Sequence, residues 1–262
     1  MLHYTSHVID PSADWVTFVH GAGGSSAIWF KQLRDFYKHF NLLLVDLRGH
    51  GTSQKGKREQ HRPYTIEAIS DEVIEVLDHL DIRQSHFVGI SLGTIIIRDI
   101  SERHADRTLR LIMGGAVMEI NLRGRMLMRL GQLLQSVVPY MLLYRFFAFV
   151  IMPRRKHRES RNLFIREAKK LYQKEFRRWF NLAAQLSPLL SFFRVNDCGK
   201  PTLYIMGEED HMFLPSIAQL VKNHRFSELF IVPQCGHVVN VERPDVFNRQ
   251  AIAFLRLHRE AC

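Results

Sequence analysis

Short runs of apolar residues alternate along the chain with stretches in which apolar residues recur at helical spacing. The runs lack polar alternation, which is typical of strands buried on both faces of a parallel sheet. Six strands are predicted, at residues 15–19, 41–45, 85–90, 109–113, 202–206 and 228–232. Helical spacing is clearest over 65–80 and 244–257. This alternation predicts an α/β fold whose central sheet is mostly parallel and flanked by helices.

The alternation stops between residues 119 and 200. This stretch is rich in Met, Leu, Phe and Arg and is predicted to be helical throughout, with helix breaks at Pro139, Pro153 and Pro188. We therefore expect a helical cap, or lid, at 119–200, and a core built from 1–118 and 201–262. The uncharged segment 130–144 is shorter than the roughly 20 residues that a membrane span needs, so we predict a core or pocket-lining helix there.

Composition is that of a globular protein of one large domain, or of one domain with an insertion. The chain has 262 residues, of which 46% are hydrophobic and 24% charged, which excludes disordered and collagen-like classes. Three cysteines, at 198, 235 and 262, are too few for a disulfide scaffold and indicate a reducing compartment. The first ten residues contain no apolar run of signal-peptide length, so we expect a cytoplasmic protein.

The formal net charge of +10 is concentrated in the predicted cap. Residues 119–200 contain 17 Lys and Arg against five Asp and Glu, whereas the remainder of the chain contains 19 against 21. The densest basic run is 153–158, directly after an apolar stretch. Two interpretations stay open: transient contact with an anionic membrane surface, and a solvated helix face. Nucleic-acid binding is not expected, because no recognised module is present.

The pattern G-x-S-x-G occurs once, at Gly89–Gly93, where an apolar strand ends and a helical stretch begins. A serine at such a turn, here Ser91, exposes its hydroxyl at the sheet edge, and the flanking glycines allow close backbone packing. A second glycine-rich segment, His20–Gly24, follows the strand at 15–19 and can turn N–H groups toward an oxyanion. It lacks the third glycine of a dinucleotide fingerprint and the Gly-Lys-Ser/Thr of a P-loop.

Two further polar residues follow predicted strands. Asp210 comes after the strand at 202–206, and His237 comes after the strand at 228–232. Together with Ser91, both side chains are expected at the carboxyl edge of the sheet, where ligands bind in open parallel sheets. Serine becomes nucleophilic when a histidine takes its proton, and a buried carboxylate fixes the histidine tautomer.

Several motifs together resemble the α/β-hydrolase fold superfamily, in its lid-bearing branch of esterases, lipases and cofactor-free peroxidases. They are His20–Gly23, Asp46–Ser53, Gly89–Gly93, Gly207–Asp210 and Gly236–His237 with Glu242–Pro244. The resemblance covers both halves of the sheet and leaves the cap unmatched. It implies Ser91 as nucleophile, Asp210 as acid and His237 as base. It also implies the backbone N–H groups of Ala22 and Leu92 as oxyanion donors, and no cofactor.

The chain departs from the family pattern in three places. Thr94 stands where many members have a second glycine. Only fourteen residues precede the strand at 15–19, so the family's first strand pair is expected to be trimmed. Glu119 occupies a position where some members place the acid, and we rank it below Asp210.

Other residues are given structural roles. Asp46, Arg48, His20 and His50 are expected to brace the loops near the site, and Cys235 to be a small wall residue. No H-x-H or H-E-x-x-H spacing occurs, so no metal site is expected.

The leading hypothesis is a serine hydrolase that cleaves a carboxylic ester with an apolar acyl group, acting on an apolar or amphipathic small molecule. Two alternatives stay open. One is a C–C hydrolase or lyase for an anionic substrate, similar to the menaquinone-pathway lyase, and the other is a ligand-binding or regulatory protein on the same scaffold. The sequence carries no signal for the oligomeric state or for which cap residues line a pocket.

Overall fold

A seven-stranded sheet forms the centre of the computed structural model, which describes residues 1–55, 63–134 and 137–257. The strands are β1 (His3–His7), β2 (Trp15–Val19), β3 (Asn41–Asp46), β4 (Ser85–Ile90), β5 (Thr108–Gly114), β6 (Thr202–Gly207) and β7 (Ser227–Val232). Their order is β1-β3-β2-β4-β5-β6-β7, and every pairing except the antiparallel β1–β3 is parallel. The predicted α/β class and mostly parallel sheet are confirmed.

Helices connect the strands and cover both faces of the sheet. They are α1 (Leu33–Phe36), α2 (Ile66–His79), α3 (Leu92–Arg103), α4 (Leu122–Leu134), α5 (Tyr140–Ile151), α6 (Arg158–Ala168), α7 (Gln173–Ala184), α8 (Ser187–Val195), α9 (Leu214–Asn223), α10 (Val239–Glu242) and α11 (Pro244–Arg256). No helix within the described residues is long and apolar enough to cross a membrane.

The core consists of two apolar layers, one on each face of the sheet. On one face Phe87 and Met113 pack in a cluster with Ile69 and Ile96 of α2 and α3. On the other face Phe18, Val88 and Ile112 join Trp29 and Phe247, and Phe247 belongs to α11. Because both faces are covered, the strand residues are apolar on both sides, which explains the continuous apolar runs.

The edge strand β1 was not predicted. Its sequence, HYTSH, is polar and mostly exposed, because only one of its edges is paired and it lies at the border of the sheet. The pairing of His3 with Asp46 places β1 beside the motif at 46–53, and the His3 N–H donates to the Ser53 hydroxyl at 2.8 Å. One strand therefore precedes β2 where a trimmed strand pair was expected.

Five helices, α4–α8, lie between β5 and β6, in the stretch predicted to be helical. Pro139 directly precedes α5, and Pro153 follows it. Pro188 breaks no helix: it lies in the first turn of α8, where a missing N–H costs nothing. The insertion has an apolar cluster of its own around Leu143, Phe176 and Phe180. Cys198 and Cys235 are free thiols, and Cys262 lies outside the described residues.

Candidate active site

Ser91 lies at the tight turn between β4 and α3. Its backbone has φ 53° and ψ −122°, a left-handed conformation that a residue with a side chain rarely adopts. The Ser91 N–H donates to the carbonyl of Gly114 at 3.0 Å and thereby ties the turn to β5. A Cβ atom at Gly93 would lie 2.3 Å from the Val19 carbonyl oxygen, so only glycine lets α3 start this close to β2. The predicted strand–turn–helix context of the serine is confirmed.

The side chains of Ser91, His237 and Asp210 form a chain of two hydrogen bonds. His237 Nε2 lies 2.9 Å from Ser91 Oγ, and His237 Nδ1 lies 2.7 Å from Asp210 Oδ2. His237 and Asp210 are almost completely buried, whereas Ser91 is partly accessible. The other carboxylate oxygen, Asp210 Oδ1, accepts from the Phe213 N–H at 3.3 Å, which fixes the carboxylate. Histidine is thus placed to take a proton from the serine hydroxyl.

Glu119 does not reach the histidine. Its carboxylate forms an ion pair with Arg194 at 2.8 Å, and its side chain is 40% exposed. The structure therefore brings Asp210 to His237, whereas Glu119, in the segment between β5 and α4, pairs with Arg194 of α8.

The glycine-rich segment after β2, residues 21–25, packs directly against the serine turn. A Cβ at Gly21 would lie 3.0 Å from the Ile90 carbonyl oxygen and 3.1 Å from Ser91 Cβ. Leu92 is the first residue of α3, so its N–H has no partner within the helix. Ala22 and Leu92, the two expected oxyanion donors, therefore lie on segments that touch each other beside Ser91.

Two buried histidines hold this segment. His20 Nδ1 donates to the Gly21 carbonyl at 2.8 Å, and His20 Nε2 accepts from the Leu47 N–H at 3.0 Å. His50 Nδ1 donates to the Arg48 carbonyl at 3.1 Å, and its Nε2 accepts from the Gly23 N–H at 2.9 Å. Burial lowers the pKa of His20, and burial together with the neighbouring His20 lowers the pKa of His50 to about 3. Both rings are neutral braces, as predicted.

Asp46 and Arg48 hold the neighbouring loop after β3. Asp46 accepts from the N–H groups of Ser26 at 2.7 Å and Thr52 at 2.8 Å. Burial alone would raise the pKa of Asp46, but these two hydrogen bonds bring it below its usual value. Arg48 and Glu72 form a buried ion pair with a shortest N–O distance of 2.5 Å. The bracing roles predicted for both residues are confirmed.

Several site contacts come from the helical insertion, and sequence reasoning missed them. The Tyr144 hydroxyl donates to the Ala22 carbonyl at 3.2 Å, and the Ser25 hydroxyl donates to Glu167 at 2.9 Å. Trp179 Nε1 donates to the Arg48 carbonyl at 3.0 Å. No motif or spacing marks these residues, because each contact joins segments more than 100 residues apart.

The basic run at 153–158 is partly engaged by the loop that carries Asp210. Arg154 pairs with Glu209 at 2.5 Å, His157 donates to it at 3.0 Å, and Lys156 also contacts it. Burial would raise the pKa of Glu209, but the hydrogen bonds from these three side chains lower it to about 2. We call this group the Glu209 cluster. It ties the insertion to the residue adjacent to Asp210.

Cys235 lies two residues before His237 and is fully buried. Burial raises the pKa of its thiol, and the nearby Glu242 raises it further. A neutral, buried thiol is a poor nucleophile, which agrees with a wall residue.

The fold defines a class, the hydrolases built on a mostly parallel α/β sheet, and Ser91, His237 and Asp210 are hydrogen-bonded at one edge of that sheet. Comparison with known sequences gives the same fold class. The profile described as alpha/beta hydrolase fold matches residues 14–244. The chain belongs to this family and is a hydrolase.

Individual relatives extend along nearly the whole chain. A candidate carbamate hydrolase, RutD, of Agrobacterium fabrum is 27% identical over 263 residues, covering 97% of this chain and 98% of that protein. Among solved structures, MenH from S. aureus has a TM-score of 0.83 at 17% identity, covering 99% of this chain and 100% of its own. The enol-lactonase from Burkholderia xenovorans LB400 has a TM-score of 0.79 at 22% identity, covering 97% and 96%. These two likenesses show the fold.

Proposed function

We propose that the protein is a serine hydrolase that cleaves carboxylic esters with an apolar acyl group. The observation that carries this proposal is the pair of hydrogen bonds, 2.9 Å and 2.7 Å, that joins Ser91 to His237 and His237 to Asp210. The strained conformation of Ser91 adds support, because residues held in rare backbone conformations cluster at functional sites.

Acylation begins at Ser91 Oγ. His237 Nε2 takes the hydroxyl proton as Oγ bonds to the ester carbonyl carbon, and Asp210 stabilises the imidazolium that forms. The negative charge on the carbonyl oxygen is held by the N–H groups of Leu92 and Ala22, and one such donor contributes roughly 3 kcal/mol. The C–O bond then breaks, and the alcohol leaves with the proton from His237.

Deacylation repeats these steps with water. His237 takes a proton from the water as its oxygen bonds to the acyl carbon, and the tetrahedral intermediate collapses to release the acid. The proton returns to Ser91 Oγ, which restores the resting state. No step requires a cofactor.

In this proposal residues 119–200 act as a cap over Ser91, and 1–118 with 201–262 form the catalytic core. Support comes from the contacts of Tyr144 and Glu167 with the segment 21–25, because they join α5 and α6 to the segment that carries Ala22. The aromatic residues of the insertion would give the pocket an apolar wall, which suits an acyl chain.

Ser91→Ala is the test. We expect hydrolysis of p-nitrophenyl butyrate and labelling by a fluorophosphonate probe to be abolished, while the unfolding temperature changes little. Ser101→Ala is the matched control, since Ser101 is a buried serine further along α3, and it should keep both signals. Esterase activity retained in Ser91→Ala would overturn the proposal. A native protein that neither turns over nor labels would instead favour a ligand-binding role.

A carbamate is the second candidate substrate, because the relative named as a carbamate hydrolase aligns over 97% of this chain. The same serine would attack the carbamate carbonyl, and the C–O bond would break so that the alcohol leaves with the proton from His237 and a carbamoyl-enzyme remains for water to hydrolyse. Initial rates on an aryl ester, an enol lactone and an N-alkyl carbamate of matched size separate the possibilities. A kcat/KM at least tenfold higher for the carbamate would move the assignment to that class.

A further inference from the structure

Helices α4 and α5 carry a set of apolar side chains that are largely exposed. On α4 and just after it, exposed apolar residues recur every three or four positions. They are Leu122, Met126, Leu130, Leu133, Leu134 and Val137. On α5 they are Leu142, Phe146 and Phe149. Leu133 is 75% exposed and Val137 is 81% exposed. Single exposed apolar residues are common on protein surfaces, but a cluster of them is rare.

The exposed face is a shared surface of the two helices. A Cβ at Gly131 would lie 3.0 Å from the ring of Phe147 and 2.6 Å from the ring of Phe180, so α4 packs on α5 and α7 at this point. Leu130 and Phe146, the neighbours of Gly131 and Phe147 in sequence, are both exposed. The inward contacts of the two helices are therefore satisfied, and their outward residues form a second apolar face.

Positive charge surrounds this face. Residues 120–158 contain eight Lys and Arg and no Asp or Glu. Arg125, Arg129 and Arg145 are exposed on the two helices and pair with no carboxylate of the described residues. The Arg161 guanidinium lies 5.3 Å from the Phe149 ring and extends the positive border onto α6. Exposed apolar residues with cations along their border are typical of helices that lie in an anionic lipid interface.

We propose that the α4–α5 face binds an anionic lipid surface, with its apolar residues among the acyl chains and its arginines at the headgroup phosphates. A second copy fits less well, since a symmetric interface would bring two sets of unpaired arginines together. The run 153–158 is not the main contact, because Arg154 and Lys156 are held by Glu209. The proposal does not depend on which bond the active site cleaves.

Co-sedimentation with vesicles tests the proposal. The full-length protein should bind vesicles of phosphatidylcholine mixed with phosphatidylglycerol at low ionic strength, and bind pure phosphatidylcholine at least tenfold more weakly. High salt should weaken binding, because it screens the charges. Exchanging Met126, Leu133 and Phe146 together for Gln should reduce the partition coefficient at least tenfold. So should exchanging Arg125, Arg129 and Arg145 for Gln, since each cation near an anionic surface contributes several-fold.

Matched controls use exposed positions of the same kind on the core. Val8, Phe30 and Phe226 exchanged for Gln control the apolar variant, and Arg34, Arg83 and Arg249 exchanged for Gln control the charge variant. All control variants should bind like the native chain. Thermal unfolding verifies that each variant is folded, and if one triple variant unfolds, the other decides.

Three results would overturn the proposal: no binding to anionic vesicles at low ionic strength, equal binding to neutral vesicles, or undiminished binding of both triple variants. A dimer that the apolar variant abolishes, found without vesicle binding, would overturn it in favour of a second copy.

Discussion

The Tyr144 hydroxyl donates a hydrogen bond to the Ala22 carbonyl oxygen at 3.2 Å, across a sequence separation of 122 residues. Tyr144 is buried on α5, and burial raises the pKa of its hydroxyl, so it remains a donor at any pH at which the protein is folded. The Ala22–Gly23 peptide, which directly follows the Ala22 N–H, is thereby held from the helical insertion. Under the proposed mechanism the N–H of Ala22 holds the oxyanion, so a residue of the cap positions a donor of the core.

Tyr144→Phe removes this hydroxyl and keeps the ring that stacks on Phe164. We expect kcat for p-nitrophenyl butyrate to fall about fivefold, the effect of losing roughly 1 kcal/mol of hydrogen bonding, with KM nearly unchanged. The reason is that the oxyanion forms only in the transition state, so the ground-state complex is little affected. Steady-state kinetics measure the two constants separately.

Tyr140→Phe is the control for this variant. Tyr140 lies one turn earlier on α5, and its hydroxyl donates to the Leu171 carbonyl, inside the insertion and away from residues 21–25. Its kcat should match that of the native protein. An equal fall in both variants, or an effect on KM alone, would show that Tyr144 only stabilises the insertion.

The sequence allowed prediction of those site residues that follow the ends of strands. Ser91, Asp210 and His237 each follow the end of a strand, and parallel topology brings such ends together at one edge. The contacts of Tyr144 and Glu167 were not predictable, because they depend on how amphipathic helices dock, and apolar spacing gives a helix face without naming its partner. The polar edge strand β1 was missed for a related reason: a border strand needs little apolar sequence.

The exposed apolar face on α4 and α5 was also not predictable from the sequence. From the sequence, its Met, Leu and Phe residues were predicted to lie in the core or to line a pocket, since composition alone does not distinguish inward from outward positions. The structure turns Leu133 and Phe146 outward while Phe147 packs inward.

His50 makes the folded protein sensitive to acid. Its pKa falls from the ordinary 6.5 to about 3 on folding, so between these pH values the unfolded chain binds a proton that the folded chain does not. The contribution of His50 to the free energy of unfolding is therefore complete above about pH 6.5. It is lost as the pH falls toward 3, by about 1.4 kcal/mol per pH unit. His50→Gln keeps a donor and an acceptor but cannot titrate, and its stability should change less steeply with pH in this window.

Urea unfolding at pH 4, 5 and 7 measures this slope. His79→Gln, which changes an exposed histidine at the end of α2, should reproduce the native slope. If His50→Gln also reproduces it, the imidazole is not a source of acid sensitivity. Some slope should persist in His50→Gln, because burial lowers the pKa of His20 as well.

Removing one partner of the Arg48–Glu72 pair should lower the free energy of unfolding strongly, whereas replacing both partners should lower it less. Both side chains are at most 3% exposed, so Glu72→Leu leaves a guanidinium buried without its carboxylate. We expect a loss of about 3 to 5 kcal/mol in the free energy of unfolding, and a smaller loss for the double variant Arg48→Met with Glu72→Leu. The surface pair Arg107–Asp78 is the control, because Asp78 is 59% exposed and Asp78→Leu should cost under about 1 kcal/mol. Similar losses in the single and double variants would contradict this account.

The Glu209 cluster should protect the segment just before α6 from proteolysis. The Glu209 carboxylate accepts from Arg154, Lys156 and His157, and hydrogen bonds to charged groups contribute about 1.5 to 3 kcal/mol. Glu209→Gln removes the charge and keeps the shape, so this segment should open more often. Trypsin cleaves after Arg and Lys, and cleavage at 154–156 should be at least about tenfold faster in this variant at pH 7.

Glu208→Gln is the matched control, since the neighbouring Glu208 accepts from the Gln234 N–H and forms no ion pair with Arg154, Lys156 or His157 within the described residues. It should leave the cleavage rate unchanged. The pKa of Glu209, about 2 against an ordinary 4.5, fixes the pH dependence. Its contribution is complete above about pH 4.5 and is lost as the pH falls toward 2, so the two variants should differ fully at pH 7. Equal cleavage of native protein and Glu209→Gln at pH 7 would show that the Glu209 cluster does not limit the opening of this segment.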